Sequence, residues 1–302
     1  MNYELMHIPV LVKETMEMLD VKANGTYVDA TVGLGGHAEA VLSMLGSDGR
    51  LVGIDRDEDA LRYARERLGN SRVFLKNRSF SQIQDILSSM NIREVDGVLF
   101  DLGVSMLQLK ELKRGFSFAS EARLDMRMDT AQELTAWDVV NKYPEKDLER
   151  ILKEYGEEPF ARRIAKAIIT CRKKSPINTC KELSDTVMKV YGGRGKTHPA
   201  TRTFQALRIE VNRELDELKK GLVSALNMLK AGGRLCVISY HSLEDRIVKN
   251  FVRDNAREGI VKVLTKKPVT AGFDEIKINP SSRSAKLRGA EKISSQGVKD
   301  YD

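Results

Sequence analysis

The sequence predicts an α/β fold: a parallel sheet with helices on both faces, interrupted by a helical insertion domain. Three observations carry this. Short apolar runs alternate with helical periods up to residue 101, and the alternation resumes after residue 205. Three of those runs end at an aspartate: Asp29, Asp55 and Asp101. The stretch from Lys110 to Gln205 shows helical periods and no strong strand signal. The expected organisation is a first core segment at 1–109, a helical insertion at 110–205 and a second core segment at 206–302.

In chain order, Pro9–Leu19 reads as a helix with proline at its start. Thr26-Tyr27-Val28 is the first strand. The turn Asp29–His37 with Gly33, Gly35 and Gly36 follows, then a helix from Ala38 to Leu45. Leu51–Ile54 is a second strand ending at Asp55, and Asp57–Leu68 a helix with an acidic first turn. Val73–Leu75 is a third strand, Ser81–Met90 a helix, and Val95–Phe100 a buried-type strand ending at Asp101. Inside the insertion, helices are expected at Ala136–Lys142 behind a Thr135 cap, Glu145–Tyr155, Pro159–Arg172 and Thr179–Tyr191. A long helical region, Phe204–Leu229, leads to a turn at Lys230–Arg234 and a strand at Leu235–Ser239. A helix at Leu243–Asn255, capped by Ser242, comes next, and weaker strand signals follow at Val261–Leu264 and Ile276–Ile293.

Composition narrows the class. At 302 residues the chain can bury a sizeable core. No apolar run reaches membrane-spanning length, and the first residues lack a signal-peptide pattern. Three cysteines, Cys171, Cys180 and Cys236, form no C-x-x-C pair, which suggests reduced thiols and a cytoplasmic protein. The net charge of +7 leans toward polyanions. Residues 110–205 hold 20 Lys/Arg against 14 Asp/Glu, so most of the excess lies in the insertion.

The chemistry gathers at the ends of the strands, where open α/β sheets bind ligands. Gly33-x-Gly35-x-x-Ala38 fits a relaxed dinucleotide fingerprint, and Asp29 ahead of it fits the acid-then-glycine order of S-adenosylmethionine sites. Asp55 can accept ribose hydroxyls in either case. Phe80 reads as a flank for adenine or as a core aromatic. Asp101 closes an apolar run, and a carboxylate there calls for a ligand or a network. An NAD-linked oxidoreductase and a non-catalytic RNA-binding protein therefore remain as alternatives.

Eight segments run in order along the chain: His7–Leu11, Asp29–His37, Asp101–Ser105, Arg114–Phe118, Leu124–Asp129, His198–Arg208, Ser239–Arg246 and Ser282–Arg288. Together they resemble the bacterial rRNA small-subunit methyltransferase H family, the cytosine-N4 methyltransferases of 16S rRNA. The resemblance implies a class I, Rossmann-like methyltransferase core, S-adenosylmethionine as methyl donor, and the N4 amine of a decoding-region cytidine in the small subunit as target. It implies cofactor contacts at Gly35, Gly36, His37, Asp55, Phe80, Asp101 and Gln108. One departure is Met106-Leu107, where the family usually has a small polar residue and a proline.

N4 of cytosine is a poor nucleophile, so an acceptor on its N–H would help; Asp101, Ser105 and His241 are the candidates. Ser105 reads equally as a turn residue and His241 as a helix-entry residue. Attack at cytosine C5 would instead need a cysteine nucleophile, and none of the three is well placed. RNA contacts are expected from Arg162, Arg163, Arg172, Lys173, Lys174 and the loop Gly192–Lys196, with Phe116, Phe118 or Trp137 as stacking surfaces. No membrane partner and no metal are expected, and the sequence is silent on oligomeric state.

Overall fold

A computed structural model of the chain describes residues 8–69, 71–192 and 198–293, with the side chains of Met106 and Lys110 also outside the description. The chain forms two compact units. One comprises the residues up to Gly103 and from Leu215 onward, the other Val104–Glu214. The sequence pattern puts these joins at 109/110 and 205/206.

The first unit opens with α1 (Val12–Leu19), β1 (Thr26–Asp29), α2 (Gly36–Met44), β2 (Arg50–Asp55), α3 (Glu58–Leu68), β3 (Val73–Asn77), α4 (Ile83–Ser89) and β4 (Val95–Asp101). The second unit follows with α5 (Met106–Lys110), α6 (Ala136–Lys142), α7 (Glu145–Glu154), α8 (Ala161–Arg172), α9 (Cys180–Tyr191) and α10 (Thr201–Asn212). The first unit resumes along α11 (Glu214–Met228) and continues with β5 (Leu229–Ser239), α12 (Ser242–Arg257), β6 (Val261–Val263), α13 (Phe273–Ile278) and β7 (Lys286–Lys292).

The sheet order is β3-β2-β1-β4-β5-β7-β6. The pairs among β1 to β5 are parallel, while β7 runs antiparallel to both β5 and β6. This is the class I methyltransferase sheet. A dinucleotide-binding sheet has an all-parallel 3-2-1-4-5-6 order, so the reversed β7 separates the two readings that the glycine turn leaves open.

Side chains alternate across the sheet, as strand geometry requires. Val28, Val52, Val98, Phe100 and Val237 face α4, α11 and α12. Tyr27, Leu51, Leu99, Cys236 and Ile238 face α1, α2 and α3. Both faces are dry, so truncating a fully buried residue such as Leu99 to alanine should cost about 2–5 kcal/mol. The second unit has its own apolar core from α6 to α10, including Val139, Leu148, Ile151, Ile164, Leu183 and Leu207.

The structure departs from the sequence pattern in five places. The strand signal expected over Ile276–Ile293 becomes strand only at Lys286–Lys292, because the chain before it forms the helix Phe273–Ile278 and a 3-10 turn, Pro280–Ser284, that starts at a proline. Leu11 takes a left-handed conformation (φ 53°), so α1 begins at Val12 rather than at Pro9. Arg213 (φ 49°) breaks the expected Phe204–Leu229 helix into α10 and α11. The expected turn before β5 is a bulge inside it: Val95 pairs Leu229, Gly97 pairs Arg234, and Gly232 (φ 79°) sits in the extra residues. His241, not Ser242, caps α12.

Candidate active site at the carboxyl edge of the sheet

β1 and β4 flank the point where strand order reverses, and the polar side chains gather beyond their ends. The glycine turn after β1 is stitched to both neighbouring strands. Ala30 N donates to Leu99 O (2.8 Å) and Val32 N to Ile54 O (2.9 Å). Gly33 (φ 50°) can then aim its amide at Asp55 Oδ2 (2.8 Å), and Gly35 (φ 83°) closes the turn as the cap residue of α2. Both positions need the left-handed backbone that a side chain would strain.

Asp55 also accepts from Asp57 N through Oδ1 (2.9 Å). Each of its oxygens therefore spends one lone pair on the backbone and keeps another for a ligand hydroxyl. Burial pushes its carboxyl up to about 6, against the pull of the two amides. Asp29 is more enclosed; burial pushes it up to about 7, opposed by His37 and by the Thr31 amide.

Asp101 is held from three elements. Its amide donates to Thr31 Oγ1 (2.6 Å), its Oδ1 accepts from the Tyr240 hydroxyl (2.8 Å), and its Oδ2 lies 3.4 Å from His37 Nδ1. His37 is buried in the first turn of α2, with Nε2 2.8 Å from Val10 O. A carbonyl can only accept, so Nε2 carries a proton and the ring presents its other nitrogen to Asp101. Burial by itself lowers the His37 pKa, but the Asp101 hydrogen bond and charge, with Asp29 and the Val10 carbonyl, outweigh it and leave the pKa above its ordinary value. Tyr240 follows β5, and its ring packs on Gly103, where an added Cβ would come within 3.2 Å. Burial and the neighbouring Asp101 carboxylate raise its phenol pKa well above 10.

The other expected site residues are distributed as follows. Gly36 starts α2 against Pro9, and a Cβ there would meet the proline ring at 3.0 Å. Phe80 opens a 3-10 turn, lies edge-on to Phe100 at 5.5 Å and fills the gap over Gly221; the Arg56 guanidinium stands 5.7 Å from its centroid. His241 forms a reciprocal cap with Glu244, with its Nε2 3.1 Å from Glu244 Oε1. Ser105 and Gln108 belong to the second unit and cap α5: Gln108 N donates to Ser105 Oγ (3.2 Å), and Ser105 N to Gln108 Oε1 (3.1 Å). The structure thus joins Asp55 to the glycine turn and His37 to Asp101, and gives Ser105, Gln108 and His241 local capping partners. Tyr240 and Thr31 are the residues that sequence reasoning misses. The only hint for Tyr240 is its position just past an apolar strand, in Ser239-Tyr240-His241.

Within the second unit, Phe116 is buried, while Phe118 stacks on His198 at 4.1 Å with the rings 8° apart. Trp137 donates through Nε1 to Asn178 Oδ1 (3.0 Å), with the charged groups of Arg123 and Lys142 at 5.7 and 5.5 Å from its ring. Arg172 donates to Val140 O and Tyr143 O, which commits it to the fold; Arg163 donates to Val190 O, and Arg162, Lys173 and Lys174 are exposed. His7 and the loop 193–197 lie outside the described residues.

Comparison with known proteins adds identity to this geometry. The profile of the MraW methylase family matches residues 4–293. The ribosomal RNA small subunit methyltransferase H of Persephonella marina is 52% identical over 292 residues, covering 95% of this chain and 99% of that protein. The proteins of the same name from Caldicellulosiruptor saccharolyticus and Clostridioides difficile are 49% and 44% identical, covering 95% and 96% of this chain and 99% and 100% of their own.

Proposed function

The chain belongs to the MraW methylase family, and from that premise we propose that it methylates the N4 amine of a decoding-region cytidine in 16S rRNA. At the coarser level it is an S-adenosylmethionine-dependent methyltransferase of small-subunit ribosomal RNA. The assembled small subunit is the substrate in this reading, and the helical second unit, with exposed Arg162, Lys173 and Lys174, is its RNA-recognition domain. Among the described residues no helix is long and apolar enough to cross a membrane, which suits a cytoplasmic enzyme.

The residues of the carboxyl edge fit the cofactor by their chemistry. Asp55 retains lone pairs for the ribose hydroxyls, the glycine turn lets backbone approach closely, and Gly35, Gly36, His37, Phe80 and Asp101 complete the set in the first unit. Gln108, the remaining contact that the family resemblance implies, lies in the second unit. Bound there, S-adenosylmethionine supplies an electrophilic methyl group on a cationic sulfur.

The observation that carries the amine reading is the fixed carboxylate of Asp101. An amine whose lone pair is delocalised needs an acceptor on its N–H. Asp101 offers one that Tyr240 and His37 already orient, so little reorganisation accompanies the reaction. A carbon target would need a thiolate instead. The cysteine of this unit, Cys236, is buried inside β5, and burial pushes its thiol up to about 12, far from a nucleophile at neutral pH. Ser105 and His241 act in this reading by holding the starts of α5 and α12.

The test is methyl transfer from labelled S-adenosylmethionine to small subunits lacking the modification, with mass spectrometry of the nucleosides. Label in N4-methylated cytidine, lost in Asp101→Asn, is the expected result. Label in RNA at another atom or base would retain the enzyme class and reject the N4 target.

A further inference from the structure

The connection between β6 and β7, residues 264–285, leaves one strand and returns to another at the same edge of the sheet as Asp101. Lys286, the first residue of β7, pairs with Ser239, the last of β5. β6 is antiparallel to β7 and so runs in the same sense as β5, which sends its carboxyl end toward that edge. The connection is also tied to the site through the N-terminal segment. Leu11 N donates to Glu275 Oε1 (2.8 Å), Asn279 Nδ2 donates to Ile8 O (2.8 Å), and Val10 O between them holds His37.

What this connection shows to solvent is unusual for a surface with no partner. Residues 262–286 hold six Lys/Arg against two Asp/Glu. Lys262, Lys266, Lys267, Lys277 and Arg283 are exposed, and among the described residues none of them enters an ion pair. One of the two acids, Glu275, is engaged by the Leu11 amide. The same connection carries Phe273, 81% exposed, and Ile278, 69% exposed, and Ile8, whose carbonyl accepts from Asn279, is 50% exposed. An exposed phenyl ring and uncompensated cations on one short connection match the two needs of single-stranded nucleic acid: charge for the phosphates and a π-face for an unstacked base.

We infer that the β6–β7 connection is a second RNA-docking surface, built into the catalytic unit itself and separate from the helical unit. It holds the strand flanking the target nucleotide, with Lys266, Lys267 and Lys277 on phosphates and Phe273 under a base. The inference rests on the rRNA reading given above. A protein patch would bury Phe273 and Ile278 against apolar side chains and would leave the five cations without purpose; RNA uses both.

The experiment measures binding and methylation with the full chain on two substrates, unmodified naked 16S rRNA and unmodified small subunits, across a series of KCl concentrations. The triple variant Lys266→Gln/Lys267→Gln/Lys277→Gln is compared with Arg65→Gln/Lys220→Gln/Lys249→Gln, which removes three exposed cations elsewhere on the same unit. The first triple should lower RNA affinity by about tenfold near physiological salt and flatten the log–log salt dependence by about 2, because each lost phosphate contact removes close to one released counterion. The control triple should change neither. Phe273→Ser should weaken binding by about tenfold with the salt slope unchanged, since stacking releases no counterions. Cofactor affinity, measured by titration, should stay at the wild-type value in all variants.

Indistinguishable behaviour of the two triples would overturn the docking surface while leaving the methyltransferase intact. Loss of affinity for subunits with none for naked rRNA would also overturn it, by assigning the patch to a protein of the particle. A wild-type chain that binds cofactor but labels neither substrate would reject the rRNA reading itself, and the inference with it.

Discussion

The helix caps of the second unit and the carboxyl edge of the first use their polar residues differently. In the second unit the recurrent polar device is local: Ser105 with Gln108, Thr135 with Asp138, and Thr179 with Glu182 each form a reciprocal cap across three residues. At the carboxyl edge of the first unit the polar partners come from far along the chain. Gly33 meets Asp55 across 22 positions, Asp101 meets Thr31 across 70, and Tyr240 meets Asp101 across 139. A cap stabilises the helix that carries it. A carboxylate oriented by several remote elements, and partly withheld from water, stores a charge in a fixed direction, which is what a binding or reacting group requires. His241 stands on the dividing line, since it lies at the edge of the sheet but pairs locally with Glu244.

Substitutions can break or sharpen this contrast. Asp101→Asn should reduce methyl transfer by about 100-fold or more, the scale of losing one preorganised polar group at a reaction centre, with circular dichroism unchanged. Asp55→Asn should weaken cofactor binding by roughly 10–100-fold in calorimetric titration, as expected for hydrogen bonds to a charged group. Tyr240→Phe keeps the ring on Gly103 but removes the donor, and should lower kcat by about tenfold with little change in cofactor affinity.

Acidity gives a smaller, global signature. Asp29 and Asp55 are raised to about 7 and about 6, so between the ordinary carboxylate range and those values the folded chain holds more protons than the unfolded one. His37, also raised, acts in the same sense. The Tm of the cofactor-free protein should therefore fall as pH rises from about 5 to 8, and Asp29→Asn should flatten that slope. The smallest effects belong to the caps. Ser105→Ala should cost about 1 kcal/mol of stability in denaturant titration and leave kcat within a factor of a few. His241→Asn, which can still cap, should be nearly silent in both. If His241→Asn abolished transfer while folding normally, the division between local and remote partners would fail.

The sequence exposes what depends on neighbours in the chain. β1, β2 and β4 are legible because apolar runs meet an aspartate, and α6 and α9 because Thr135 and Thr179 announce them. The reversed β7 is hard to read, because Lys286-Leu287-Arg288-Gly289-Ala290-Glu291-Lys292 carries charges that its buried position pairs off, Arg288 with Asp245 among them. α13 carries no apolar face into the core, so its sequence gives no helical period to find. Asp55 and Asp101 are legible as carboxylates at the edge of the sheet because each ends an apolar run. Tyr240 is not, because its place beside Asp101 depends on a partner that no local pattern can indicate.

The place of β7 also has a consequence for how the enzyme is made. β7 follows β5 and β6 in the chain yet enters the sheet between them. Until it arrives, β5 lacks the partner that covers its outer edge, and Asp245 lacks Arg288. The glycine turn and the helical unit precede β7 in the chain, and the sheet can close this edge only once residues 286–292 are made. A stop codon before Lys286 would leave the edges of β5 and β6 unpaired, and should yield an aggregating product rather than a weakened catalyst.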